Sequence, residues 1–97
     1  MPAYFLFDVK EITDPAAMDR YRAAVFATVS KHGGRYLLIG GDVTPVEGGE
    51  LRPTFPVLIE FPSPRQARGW YDDPEYRALK DLRLSATRGD AVLLEPA

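Results

Sequence analysis

The chain has 97 residues, a net charge of −2 with basic residues dispersed among acidic ones, and no cysteine. That length suits one domain over residues 1–97, able to bury about two thirds of its unfolded surface. The composition excludes disulfides, thiolate metal sites, a cysteine nucleophile and the basic stripe that a nucleic-acid binder needs.

One histidine, His32, excludes a multi-histidine metal site. No apolar run approaches the length of a membrane span. No basic leader precedes Tyr4-Phe5-Leu6-Phe7, so no signal peptide is expected and a cytoplasmic location is.

Ala3 to Val9 reads as a strand of aromatic and β-branched residues, apolar at neighbouring as well as alternate positions. Asp14-Pro15 then opens a helix, with Asp14 as N-cap and Pro15 at the first helical position, where a missing N–H costs nothing. The helix is expected from Pro15 to His32. Its apolar face is Met18, Tyr21, Val25 and Val29.

KHGGRYLLIGG follows. Gly33 can take the left-handed conformation that caps a helix, and Arg35 to Ile39 is too short and apolar for a free helix, so a second strand is expected there. A phosphate cradle would need its glycines between a strand and a helix, and here that order is reversed. The second strand is expected to bend or bulge at Gly40-Gly41 and resume over Val43 to Val46.

After a turn at Glu47-Gly48-Gly49-Glu50, Pro56 to Phe61 is a third strand, apolar on both faces except at Glu60. Ser63-Pro64-Arg65-Gln66 is a capping box for a helix from Pro64 to Tyr71. Asp73 caps a second segment from Pro74 to Thr87, with Tyr76, Leu79, Leu82 or Arg83, and Ala86 inward. Gly89 is expected to close it, and Ala91 to Glu95 to form the last strand.

Strand, helix, strand, strand, helix, strand is the ferredoxin-like split βαβ order: an α+β fold, a four-stranded antiparallel sheet with helices on one face. Two helices cover one face only, yet strands one and three are apolar on both. The open face therefore calls for a second copy, and a homodimer is expected.

The ordered set KHGGRYLLIGG, IEFPS, WYDDPEYRAL and a closing GD resembles the small bacterial domain-of-unknown-function family 1330, of the dimeric α+β barrel superfamily. The resemblance spans nearly the whole chain. Tyr21, Gly33, Gly34, Arg35, Gly41, Glu60, Phe61, Tyr71, Pro74, Glu75, Tyr76 and Arg83 match its recurring positions. It implies the fold and the dimer but no chemistry, because superfamily relatives include small monooxygenases, lactone isomerases, haem-degrading proteins and stress-related dimers.

Placing strands one and three parallel at the sheet centre brings Asp8, Glu60, Arg35 and Asp90 to one end, with His32 beside them. In a functional reading Arg35 holds a carboxylate or enolate, Glu60 or His32 is the general base, and Tyr21 lines the pocket. In a structural reading Arg35 and Glu60 are a cross-strand ion pair, Asp8 and Asp90 cap turns, and His32 is a helix terminus. Trp70, Tyr71 and Tyr76 are either an aromatic wall for a planar ligand or core, and Arg83 reaches a ligand or the partner subunit. Asp72, Asp73 and Glu75 are explained by capping, so no metal is assigned and no cofactor is expected. Three functions stay open: a cofactor-independent enzyme acting on a small carbonyl-bearing molecule between sheet and helices, a non-catalytic ligand-binding dimer, and a structural or stress-related dimer.

Overall fold

A computed structural model describes residues 1–97. The elements are β1 (Ala3–Ile12), α1 (Pro15–Lys31), β2 (Arg35–Ile39), β3 (Pro56–Phe61), α2 (Pro64–Asp72), α3 (Pro74–Ala86) and β4 (Thr87–Leu94). They form an α+β fold: a sheet in the order β2-β3-β1-β4 under a single helix layer.

Local chemistry sets the boundaries. Asp14 accepts from the Ala17 amide at 3.1 Å, Ser63 from Gln66 at 3.2 Å and Asp73 from Glu75 at 2.9 Å, so each helix opens on a side-chain cap followed by proline. At the end of α1 the Gly33 amide donates to Ser30 and the Gly34 amide to Val29, both at 3.0 Å, with Gly33 at φ 77°. That is a Schellman cap. The second glycine answers a different need: a Cβ at Gly34 would stand 2.6 Å from Phe61 and 2.7 Å from Val29.

The helix-facing side of the sheet carries Ala3, Phe5, Phe7, Ile59 and Phe61, packed with Val29, Ala67, Trp70 and Tyr76. Trp70 is wholly buried and its indole N–H donates to Thr28 at 3.1 Å. The other side has no helix. There Tyr4 and Leu6 of β1 meet Glu60 and Leu58 of β3, and Leu94 and Val92 of β4.

Four expectations are corrected. First, β3 runs antiparallel to β1, with Ala3 opposite Phe61 and Asp8 opposite Pro56. A crossover helix leaves β1 and β2 parallel, and the return into β3 reverses the chain, so the start of β1 meets the end of β3. Second, residues 42–55 contain no strand, and the irregularity in β2 falls between Tyr36 and Leu38, ahead of the glycines. Third, Gly89 lies inside β4, where a Cβ would stand 2.0 Å from the Asp8 carbonyl oxygen; α3 ends earlier, at Ala86, because Thr87 is already extended. Fourth, β1 continues past Val9 to Ile12 through an irregularity at Lys10.

Candidate functional site

Helix α2 sits directly on β1 and β3, whereas α1 packs most closely on α3 and reaches the sheet through its side chains. Between α1 and the strands lies an open-mouthed cavity of about 380 Å³. Its wall is mostly apolar: Met18 and Val25 from α1, Phe7 from β1, Tyr36 and Ile39 from β2, and Val57 and Ile59 from β3 among others. Period-two alternation explains the β3 contribution, and the irregularity between Tyr36 and Leu38 brings Ile39 of β2 back to the face of Tyr36. Tyr36 and Ile39 pair with Ile59 and Val57 on the helix side, while Arg35 and Leu38 pair with Glu60 and Leu58 on the other.

The polar groups of the cavity gather around one residue of α3. Arg83 lines it with only 9% of its surface exposed. No ion pair in the structure includes Arg83, and its Nε has no hydrogen-bond partner. Its guanidinium lies over the Phe7 ring at 5.0 Å and against the Tyr76 hydroxyl. Tyr76 and Tyr21 share a 2.9 Å hydroxyl contact. Burial, first, then the neighbouring phenol, pushes the Tyr21 hydroxyl far above its ordinary range, and burial does the same to Tyr36. These phenols are therefore neutral donors.

The residues expected to share a polar corner are separated. Glu60 stands opposite Tyr4 and Arg35, near the start of β1, whereas Asp8 stands opposite Asp90 at the other end of that strand. Arg35 Nε donates to Glu60 at 2.8 Å on the helix-free side, with the arginine side chain 71% exposed, and this hydrogen bond holds the Glu60 carboxyl below its usual range. Neither residue lines the cavity. The antiparallel register and the face alternation together place them away from it.

His32 is also elsewhere. Its Nε2 lies 2.6 Å from Asp73, between the ends of α1 and α2, and that contact, the Glu75 amide and Lys31 hold the Asp73 carboxyl well below the usual range. Gln66 adds a bond to the His32 carbonyl at 3.3 Å. Asp8 accepts from the Thr54 and Phe55 amides at 2.8 and 2.9 Å and so anchors Phe55, a rim residue of the cavity. Trp70 and Tyr71 belong to the aromatic core around Phe5, and Lys80 covers the Tyr71 ring at 4.2 Å. Of the expected ligand-binding residues, Tyr21 and Arg83 line the cavity and Tyr76 stands behind them.

Sequence reasoning missed Tyr36, Phe26, Ile39, Phe55 and Val57 as wall residues. Alternation along β3 could have found Val57, whereas the irregularity in β2 hides that Tyr36 and Ile39 share a face. No group of three or more histidine, aspartate or glutamate side chains is placed to hold a metal ion, and no helix is long and apolar enough to cross a membrane.

The architecture is similar to several solved structures. A protein of unknown function from Rhodopseudomonas palustris, RPA0582, aligns with TM-score 0.73 at 19% identity, over 99% of this chain and 82% of that one. SnoaB from Streptomyces nogalater, a cofactor-independent oxygenase, aligns with TM-score 0.60 at 13% identity, over 99% and 91%. A dimeric ferredoxin-like protein of unknown function from Thermobifida fusca aligns with TM-score 0.51 at 19% identity, over 98% and 89%. At such identities the likeness is one of fold. None of the curated proteins matches in sequence. Residues 2–97 match the family described as Domain of unknown function (DUF1330), and the chain belongs to that family.

Proposed function

We propose that the protein holds a small, largely apolar, carbonyl-bearing molecule in the cavity between α1 and the sheet and acts on it without a cofactor. The observation that carries this reading is the cavity itself: about 380 Å³ of apolar wall with a buried arginine and a buried tyrosine hydroxyl on it. Buried donors aimed at a carbonyl oxygen favour the charge that develops there on enolisation or addition. The similarity of fold to SnoaB, a cofactor-independent oxygenase, supports chemistry of this kind.

A second reading, binding without turnover, is favoured by the scarcity of bases. Glu11 is the one carboxylate on the wall, it stands near the mouth, and it is paired with Arg88 at 3.0 Å. Both readings share the cavity, and one experiment tests it. Prodan, a neutral naphthalene ketone whose emission shifts to the blue in apolar surroundings, is expected to bind the native protein with such a shift. Val25→Phe, which fills the cavity from α1, is expected to abolish it. Native protein that leaves prodan emission unchanged, or a folded Val25→Phe variant that binds equally well, contradicts both readings.

The helix-free side of the sheet completes the proposal. Leu38, Val92 and Leu94 are exposed there beside Leu6 and Leu58, and the whole chain is a slab 16 Å thick, two layers and no more. A second copy is the occupant that fits, and the dimeric Thermobifida fusca protein of similar fold supports it. Arg35 and Glu60 lie on that face, so in this reading they belong to the dimer contact.

A further inference from the structure

The cavity holds a charge that no carboxylate in the chain answers. Its wall includes three cations, Lys10, Arg22 and Arg83, against one carboxylate, Glu11, in a chain whose net charge is −2. At the surface Lys10 and Arg22 have aspartate partners, Asp8 at 2.8 Å and Asp19 at 3.5 Å. Arg83 is the most buried of the three and has none. A buried cation weighs against the folded state unless it is paired. Stability alone gives no reason to keep one there.

The neighbouring hydroxyls are a second source of donors. Arginine can only donate, so where its guanidinium meets Tyr76 the phenol oxygen is the acceptor. In the 2.9 Å contact between Tyr76 and Tyr21 either hydroxyl can be the donor. With Tyr76 as donor, the Tyr21 proton is free to turn toward the cavity that Tyr21 lines. Arg83 and Tyr21 thus present donors to the same apolar space.

We infer that the ligand is an anion: an apolar body ending in a single oxyanion group, such as a carboxylate or an enolate, held by Arg83 with the Tyr21 hydroxyl as second donor. Lys10 and Arg22 near the mouth draw such a molecule in. The inference rests on the cavity being the ligand site, as proposed above, and adds the charge and the anchoring residues.

The test compares naphthoate with naphthamide, two probes of nearly equal shape that differ in charge, by displacement of prodan and by calorimetry. Native protein is expected to bind naphthoate about tenfold more tightly, the step that one charge-assisted hydrogen bond supplies. Arg83→Met is expected to erase that preference while still binding prodan, Arg83→Lys to restore part of it, and Tyr21→Phe to weaken naphthoate more than naphthamide. Equal affinities in native protein, or a preference that survives Arg83→Met, overturn the anionic ligand and leave the cavity reading intact. Failure of prodan and of both probes overturns the cavity reading instead. Should Arg83→Met not fold, the native preference and its response to Tyr21→Phe decide: an unaltered ratio in Tyr21→Phe together with equal native affinities overturns the inference.

Discussion

The hydroxyls of Tyr21 and Tyr76 lie 2.9 Å apart, joining α1 to α3 behind the wall of the cavity. Both side chains are buried, and their rings meet edge to face at 6.3 Å. This one contact ties the helix that roofs the cavity to the helix that carries Arg83.

Removing one partner strands the other. Tyr76→Phe leaves the Tyr21 hydroxyl without its acceptor or donor, at an expected cost of about 1–3 kcal/mol. Tyr21→Phe costs a similar amount, and the double variant costs less than the two together. Urea denaturation of the four proteins checks this; strictly additive losses contradict a shared bond.

Arg83→Met is expected to raise the thermal midpoint of the unliganded protein even as it removes anion preference. Replacing buried charge by an apolar side chain of similar length is often neutral or stabilising, and sites kept for function are where such trade-offs fall. Loss of the contact with the Phe7 ring at 5.0 Å works against the gain. A midpoint well below that of the native protein shows that Arg83 is structural.

The two glycines after α1 fail for different reasons. Gly33→Ala forces a Cβ into a left-handed residue, at about 1–2 kcal/mol. Gly34→Ala drives a methyl into Phe61 and Val29, an overpacking that costs about 1–3 kcal/mol. Differential scanning calorimetry is expected to rank both below native, and a neutral Gly34→Ala contradicts the close approach described.

Acid stability depends on Asp73. Its carboxyl is held below its ordinary 3.8 by His32 first, then by the Glu75 amide and Lys31. A depressed folded-state pKa gives stability that is full above the unfolded value and is lost as pH falls through the folded one. The native midpoint is therefore expected to fall steeply below pH 3.8, and Asp73→Asn to flatten that part of the curve in circular-dichroism melts. An unchanged acid limb contradicts the role given to this carboxylate.

Most of the fold was legible because its signals are local. Asp14, Ser63 and Asp73 each announce a helix through a cap and a proline, and Gly33 stops one through its left-handed turn. Strand direction is not local. Whether Glu60 meets Tyr4 or Asp8 depends on the crossover through α1 and the return from β2 to β3, and a wrong parity gathers charges from opposite ends of the sheet into one imagined corner. Tyr21 and Arg83 could be placed on the inner faces of their helices from spacing alone. The cavity could not, since it depends on how closely α1, packed on α3, approaches the sheet.

The most direct test of the central claim is a crystal structure of the protein grown with naphthoate. The account predicts density between α1 and the sheet, the ring against Val25 and Ile59 and the carboxylate within hydrogen-bond distance of Arg83 and Tyr21. A cavity closed by its own side chains, with naphthoate absent or bound on the helix-free face beside Arg35, would contradict it.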